Sequence, residues 1–368
     1  MKRYLAFLLA LVLCFGLCAC GGSGEETPPE TQPTEPDEIK VEDDGIMKIL
    51  LICSSLGVDS SFMFPDVCRN EGMENLVMGF LYHSGSCVAQ HVEYAKNNAR
   101  EFAYYEYDIS TQQEWLRADC NGNFTPCQAG AANDIYIEDG SIAQTLEFGI
   151  KRHDWDLVIL QGSSSESAGR QADSWYKSRN LPVNLPSYID ELKDYVLATD
   201  AEPGSVPQFA WNMVWSSPKD PAVRKDSVNL MLQTEFDDSE YVYYKAISKN
   251  LQEVILPAED FVHVFPNGTT IQNLKSTKLA SNEIHRDYSH ITDFGRLAAA
   301  YTWYCTLTGT DIADCKIPPM NYRVLLDKLA YNTGKDMELT EEYRAILVEA
   351  VGNAVKNPYD ITPTKFAE

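Results

Sequence analysis

The sequence lacks an excess of basic residues, any Cys-x-x-Cys pair, and any long hydrophobic run after its first twenty residues. With 30 Lys and Arg against 54 Asp and Glu, its net charge of -24 argues against binding to nucleic acid, whose phosphates need basic partners. The missing Cys-x-x-Cys spacing argues against a structural zinc site. Hydrophobic residues still make up 44% of the chain, which is enough for a sizeable core.

The first twenty residues have the pattern of a lipoprotein signal peptide. A basic start at Lys2 precedes an apolar run over residues 4–17, which is too short to span a bilayer as a mature helix. A Leu-Cys-Ala-Cys sequence ending at Cys20 then matches the bacterial lipobox, in which the last cysteine is lipidated. We therefore expect an exported periplasmic or cell-surface lipoprotein anchored through Cys20, with an ordinary signal peptide as the alternative.

Residues 21–45 have no periodicity and are rich in Gly, Pro, Thr and Glu, which predicts a disordered acidic linker. Residues 46–368 show neither an internal repeat nor a second separable core, so we expect a single domain. This domain contains seven cysteines, and in an exported protein an odd number leaves at least one free thiol. Cys120 with Cys127 is the closest candidate pair for a disulfide, and Cys305 with Cys315 is a weaker one.

Short apolar runs alternate with helical patterns along this domain. Strands are predicted at residues 48–52, 76–83, 155–160, 208–215 and 254–257, and helices at 88–100, 141–152, 188–198, 226–236, 241–252, 292–307 and 340–355. Aromatic and polar residues alternate over 102–107 and around Trp115, which predicts a small added antiparallel hairpin. The alternation of strands with helices indicates an α/β fold whose parallel sheet is covered on both faces.

Small polar residues follow three of the predicted strands. They are Ser54-Ser55, Ser84-Gly85-Ser86 and Gln161-Gly162-Ser163. Because the carboxyl ends of parallel strands meet at one edge of the sheet, where open α/β folds place their sites, we expect these side chains to lie close together.

Asp287 and His290 lie three residues apart near the end of the domain, so that a turn can bring both side chains to one side. A carboxylate beside an imidazole fixes its tautomer and stabilises its cation, and a serine on the far ring nitrogen becomes a usable nucleophile. An alternative is a metal site formed by His285, Asp287 and His290, for which no fourth ligand is evident.

In their order along the chain, these motifs resemble those of the SGNH (GDSL-like) hydrolases, and most closely those of a secreted gut-bacterial branch of that superfamily, a domain family of unknown function. The resemblance covers roughly residues 47–307. It rests on Cys53-Ser54-Ser55-Leu56, on Leu81-Tyr82 through Gly85 to Gln90-His91, on Trp155-Asp156 through Leu160-Gln161, on Trp211-Asn212-Met213-Val214-Trp215, on Ile271-Gln272-Asn273, and on Arg286-Asp287-Tyr288-Ser289-His290 through Gly295-Arg296.

The resemblance implies a three-layer α/β/α sandwich with a flavodoxin-like parallel sheet of about five strands and a C-terminal helix. It also implies a carboxylic-ester hydrolase without cofactor or metal, which removes acetyl or other short acyl groups from a glycan or small molecule. Ser55 would be the nucleophile, His290 the base and Asp287 its partner. The oxyanion and substrate would be bound near Gly85, Gln161 and Asn212.

The chain departs from the family pattern at its first block, which usually reads Gly-Asn-Ser-Phe. Cys53 and Ser54 stand where the family has Gly and Asn, and the Gly-x-Asn-Asp block of the wider superfamily is absent. These departures keep a second interpretation open, in which a catalytically impaired lipoprotein of this fold binds a glycan or another solute.

Overall fold

The computed structural model describes residues 39–41, 44–111, 114–126, 143–171, 174–199, 206–219, 226–325 and 334–367. The predicted signal peptide with Cys20, most of the predicted linker and Cys127 lie outside the described residues.

Eleven strands occur in the described part of the chain. They are β1 (Met47–Cys53), β2 (Leu76–Tyr82), β3 (Phe102–Asp108), β4 (Leu116–Ala118), β5 (Phe124–Pro126), β6 (Ala143–Gln144), β7 (Leu157–Leu160), β8 (Gln208–Asn212), β9 (His263–Phe265), β10 (Asn321–Leu325) and β11 (Gly334–Glu338). The first nine form one sheet, and β10 pairs with β11 as a separate antiparallel hairpin.

The large sheet has the order β5-β4-β3-β2-β1-β7-β8-β9, with β6 also paired to β3. Its middle and one end, β2-β1-β7-β8-β9, are parallel throughout. At the other end β3, β4, β5 and β6 are added antiparallel. The sheet is therefore larger than the predicted five strands, because the predicted hairpin extends it.

Thirteen α-helices connect and cover these strands in the described ranges. They are α1 (Ser55–Ser61), α2 (Phe64–Glu71), α3 (Val88–Lys96), α4 (Leu146–Ile150), α5 (Ser164–Ser167), α6 (Ser174–Arg179), α7 (Leu185–Thr199), α8 (Asp226–Glu235), α9 (Glu240–Asn250), α10 (Asn267–Lys275), α11 (Ser281–Ile284), α12 (Asp293–Thr308) and α13 (Glu341–Lys356). A π-helical turn, Leu251–Ile255, continues α9.

The central strand β1 is buried on both faces because its side chains alternate between two hydrophobic cores. Ile49 and Leu51 pack into one core with residues of α2, α12 and α13, and Leu50 and Ile52 into the other with residues of α3 and α7. Each such side chain contributes about 1.5–3 kcal/mol by leaving water. The prediction of a parallel sheet covered on both faces is confirmed in this mixed α/β architecture.

The predicted fifth strand at 254–257 is wrong. Leu251 and Ile255 are buried while Val254 is exposed, so this apolar run is one face of the helix that continues from α9. The fifth parallel strand is β9, which pairs with β8. With only three residues, it is too short to give a clear alternation pattern.

Among the cysteines that the structure describes, Cys53, Cys68, Cys305 and Cys315 are free thiols. Cys305 and Cys315 therefore do not form the expected disulfide, and Cys120 is a free thiol as well. No helix within the described ranges is both long and apolar enough to cross a bilayer.

Candidate active site

Ser55 is the first residue of α1 and follows the buried strand β1 after a single intervening residue. Ser54 takes an extended backbone conformation between strand and helix, with φ -94° and ψ -171°. Because β1 lies between the parallel strands β2 and β7 and Ser55 follows its carboxyl end, the partly exposed Ser55 stands at the carboxyl edge of the parallel part of the sheet. This is the edge that the sequence predicted for the site.

The side chains of Ser55, His290 and Asp287 form a hydrogen-bonded chain. Ser55 Oγ lies 2.8 Å from His290 Nε2, and His290 Nδ1 lies 2.8 Å from Asp287 Oδ2. With the proton on Nδ1 facing the carboxylate, Nε2 can accept the hydroxyl hydrogen of Ser55. The fold thus joins two residues that are 235 positions apart in the chain.

Asp287 is oriented by the turn in which it lies. Its Oδ1 accepts the backbone N–H groups of Ser289 at 2.7 Å and of His290 at 2.8 Å. Burial alone would raise the pKa of the Asp287 carboxyl, but its bonds to His290 and to these N–H groups outweigh burial and hold the pKa below its ordinary value. An ionised Asp287 can therefore balance a positive charge on the imidazole.

Gln161 lies after β7, beneath the first turn of α1. Its Nε2 donates to Ser54 Oγ at 3.0 Å and to the carbonyl oxygen of Gly162 at 3.0 Å. A Cβ atom at Gly57 would come within 2.3 Å of Gln161 Oε1, so residue 57 can carry no side chain while this amide stays in place. Gln161 thus contacts the residue before Ser55, and both of its N–H groups are engaged.

Gly85 and Asn212, also predicted for the site, lie in different surroundings. Gly85 is exposed in the turn after β2, with a φ of +63° that favours glycine. Asn212 is fully buried at the end of β8, where its Nδ2 donates to Ser60 Oγ at 2.9 Å and its Oδ1 lies 2.7 Å from the Asn267 amide. Gly85 is therefore at the expected sheet edge, whereas Asn212 supports the buried side of α1.

Asp59 is a buried residue of this site that the sequence analysis missed. Its carboxylate accepts hydrogen bonds from Arg286 and Arg296 and from the backbone N–H of Ile291. Burial disfavours its charge, but Arg286, Arg296 and the nearby His290 outweigh burial and lower its pKa to about 2. Its place four residues after Ser55, on the same face of a helix, was the available signal.

Trp215 makes a second contact with the segment that carries His290. The indole N–H of this buried residue donates to the carbonyl oxygen of Ser289 at 2.7 Å. The Trp215 carbonyl oxygen in turn accepts the hydroxyl of Ser164 at 2.8 Å. The loops after β7 and β8 therefore both support the turn around His290.

His285 does not join Asp287 and His290 as a third ligand. Both of its ring nitrogens are buried without a hydrogen-bond partner among the described residues. Burial, with the nearby Lys275 charge, holds the pKa of His285 well below its ordinary value, so the ring is neutral. In the part of the chain that the structure describes, no group of three or more His, Cys, Asp or Glu side chains could hold a metal ion.

Ser86 and His91 form another serine–histidine contact, with Oγ and Nε2 2.6 Å apart. Both side chains are buried, and burial lowers the pKa of His91 to about 3. Within the described residues His91 Nδ1 has no hydrogen-bond partner, and hence no carboxylate. This pair lacks both the exposure and the acidic partner that the Ser55 site has.

Comparison with known proteins gives a family and one similar fold. Residues 139–336 match the profile of a domain of unknown function, DUF4886. A crystal structure of a DUF4886 family protein from Bacteroides uniformis ATCC 8492 is similar, at 19% identity and a TM-score of 0.61 over 86% of this chain and 98% of that one. At this identity the likeness concerns the fold alone.

A gut microbial diltiazem-metabolizing enzyme is a weaker match, at 10% identity and a TM-score of 0.37 over 73% of this chain and 48% of that one. That score is too low to infer a common fold. No curated protein matches the chain. The DUF4886 profile spans more than half of the 368 residues and includes Asp287 and His290, although it begins after Ser55. The chain therefore belongs to the DUF4886 family, a domain family of unknown function.

Proposed function

We propose that the protein is a serine hydrolase that cleaves a carboxylic ester at Ser55. The observation that carries this proposal is the chain of two 2.8 Å contacts from Ser55 Oγ through the His290 imidazole to the Asp287 carboxylate. These three side chains lie at the carboxyl edge of the parallel strands, where open α/β folds place their sites. Ser55 is partly exposed there, so a substrate can reach its hydroxyl.

In the proposed reaction, Ser55 Oγ attacks the acyl carbonyl carbon while His290 Nε2 takes the hydroxyl proton. The ionised Asp287 stabilises the imidazolium that forms. The imidazolium then gives its proton to the leaving alcohol oxygen, and the acyl group stays on Ser55. A water molecule, deprotonated by the same imidazole, then attacks the acyl carbon; the bond to Ser55 Oγ breaks, the carboxylic acid leaves, and the imidazolium returns its proton to Ser55 Oγ.

Membership in the SGNH superfamily is part of the proposal. The parallel strands β2-β1-β7-β8-β9 follow one another in the order 2-1-3-4-5 when numbered among themselves, which is the flavodoxin-like order. This order, together with a serine after the first strand and an Asp-x-x-His near the end, supports a three-layer sandwich of the SGNH type.

We propose that backbone N–H groups near Ser55 and Gly85 bind the oxyanion, and that Gln161 assists indirectly through its hydrogen bond to Ser54. The amide of Gln161 donates to Ser54 Oγ, which leaves the Ser54 hydroxyl hydrogen available to a neighbouring acceptor. The burial of Asn212 supports a role for that residue in holding α1 and not in contacting substrate.

Reaction with a fluorophosphonate probe tests the proposal directly, because Ser55 Oγ would displace fluoride from phosphorus and keep the probe. The wild type should be labelled on the peptide that contains Ser55, and Ser55→Ala should not be labelled at all. Ser54→Ala removes a hydroxyl of the proposed oxyanion site but keeps the nucleophile, so it should still be labelled on the same peptide, though more slowly than the wild type. If Ser55→Ala reacts as fast as the wild type, Ser55 is not the nucleophile.

A binding protein without turnover is the second candidate. The observation that favours it is that both N–H groups of Gln161 are engaged, so that this amide offers no free donor to an oxyanion. A folded wild type that resists the probe and hydrolyses no ester, yet binds acylated glycans, would support this candidate.

For the hydrolase we propose short acyl esters of a glycan or small molecule, which a panel of acetylated glycans and aryl esters would test.

We also propose that the protein is exported and anchored through Cys20, on the basis of the lipobox that ends there. Metabolic labelling with a fatty-acid analogue should mark the native protein, and Cys20→Ser should abolish the label. Cys18→Ser leaves the proposed acceptor in place and should keep it. An unlabelled native protein would contradict the anchor without bearing on the hydrolase.

A further inference from the structure

We infer that Asp59 is a positioning residue, whose carboxylate on α1 holds the segment 286–291 so that His290 meets Ser55. This inference rests on the proposed function, since it assigns a role in the same reaction. Ser55 and Asp59 are four residues apart in one helix, so that their side chains lie on the same face. One short helix therefore carries both the hydroxyl and the anchor of the segment that brings the base to it.

The first contact of this anchor is made to the main chain beside the base. Asp59 Oδ2 accepts the backbone N–H of Ile291 at 3.0 Å, and Ile291 directly follows His290. A bond to the backbone limits where the next residue can lie, whichever rotamer its side chain adopts. Loss of this bond would therefore move the imidazole relative to Ser55.

Arg286 extends the anchor to the other side of His290. Its Nη1 donates to Asp59 Oδ1 at 3.1 Å and to the carbonyl oxygen of Ile291 at 3.0 Å. Its backbone N–H donates to the carbonyl oxygen of His290 at 3.0 Å. The turn from Arg286 to Ile291 is thus closed on itself and fastened to α1 through one carboxylate.

Arg296 on α12 supplies a second positive charge to Asp59. Its Nε and Nη2 donate to Asp59 Oδ1 at 3.0 and 2.7 Å. The Asp59 side chain is only 2% exposed, and a carboxylate so deeply buried needs charged partners. The Arg296 guanidinium also contacts Asp293 at 3.3 Å, but in the described residues Asp293 makes no hydrogen bond to the segment 286–291.

Asp293 is therefore the matched control, because Asp293→Asn alters a contact of the same residue, Arg296, and leaves the segment that carries His290 unchanged. A purely structural role of Asp59 would alter stability but not the ratio of kcat to KM in the folded protein. A positioning role predicts that kcat falls in the folded variant while KM is nearly unchanged, since a base displaced by about 1 Å slows the chemical step about 100-fold and substrate binding is kept.

The experiment compares steady-state kinetics on an aryl ester for the wild type, Asp59→Asn and Asp293→Asn, with folding followed by circular dichroism. Asp59→Asn should lower kcat about 100-fold and change KM less than threefold, while Asp293→Asn should stay within threefold of the wild type in both. A kcat within threefold of the wild type in folded Asp59→Asn would overturn the inference. So would a rise in KM at constant kcat.

Arg286→Gln is the second variant, in case Asp59→Asn does not fold. It removes the guanidinium bonds to Asp59 and to the Ile291 carbonyl but leaves the Asp59–Arg296 pair and the bond to the Ile291 N–H in place. It should lower kcat about tenfold at unchanged KM, and an unchanged kcat would count against the inference.

A proton NMR signal separates this inference from the proposed function. The Nδ1 hydrogen of His290, bonded to Asp287, should give a low-field resonance in the wild type that disappears in His290→Ala. We expect Asp59→Asn or Arg286→Gln to lose or shift this resonance and Asp293→Asn to retain it. If the wild type hydrolyses no ester, the hydrolase proposal fails, but the resonance still decides whether Asp59 positions His290. An unchanged resonance in both variants would overturn the positioning role.

Discussion

Replacement of His290 by Ala should lower kcat on an aryl ester by about 10⁴–10⁶-fold, the range expected when the general base of a serine hydrolase is removed. His290 Nε2 is the group that contacts Ser55 Oγ, so its loss leaves the hydroxyl without a proton acceptor. Because Ser55 and His290 act in the same proton transfer, the double variant Ser55→Ala/His290→Ala should be little slower than either single variant. Steady-state kinetics of the three variants checks this.

His153→Ala is the matched control for that experiment. His153 is also partly buried and also contacts a carboxylate, Glu106, at 3.0 Å. It belongs to the part of the fold before β7 and takes no part in the proposed chemistry, so we expect kcat to stay within threefold of the wild type. Full activity in His290→Ala would contradict the serine-hydrolase mechanism. Activity that a chelator abolishes and zinc restores would instead favour a metal-dependent reaction.

Replacement of Asp287 by Asn should lower kcat by about 10⁴-fold at neutral pH. The carboxylate holds the proton on Nδ1 of His290, whereas an amide nitrogen turned toward that ring favours the tautomer that cannot accept the Ser55 proton. The backbone bonds from Ser289 and His290 to Oδ1 can survive in Asn, so we expect the fold to be kept. Kinetics combined with a thermal melt checks both parts.

The ionisation state of Asp287 bears on how the activity of the wild type depends on pH. The pKa of the Asp287 carboxyl is held below its ordinary value, so this group is ionised at neutral pH and its own protonation does not limit activity there. In the double variant Asp287→Asn/His290→Ala, activity should be close to that of His290→Ala alone, since both residues act through one imidazole. Independent, multiplicative losses would show that Asp287 has a different role.

The sequence was sufficient to predict much of the sheet, because several of its strands are continuous apolar runs that are buried on both faces. The runs at β1, β2, β7 and β8 and the added hairpin at β3 were readable from composition and alternation alone. The run at 254–257 was misread because an apolar helix face and a short buried strand have the same composition over four residues. Only the pairing with β8 identifies His263–Phe265 as the last parallel strand.

The sequence by itself also determined which residues can form the proposed site: a serine after the first strand, and a carboxylate three residues before a histidine near the end. Both features are short patterns along the chain, which the spacing of residues in the sequence shows directly. Tertiary structure decided the rest. It brought Ser55 within 2.8 Å of His290, and it buried Asn212 at the end of β8, where its amide contacts Ser60 of α1. It also paired Asp59 with two arginines more than 200 positions away. Such contacts depend on how helices and loops pack across the sheet, and one sequence holds no periodicity that records which distant side chains will meet.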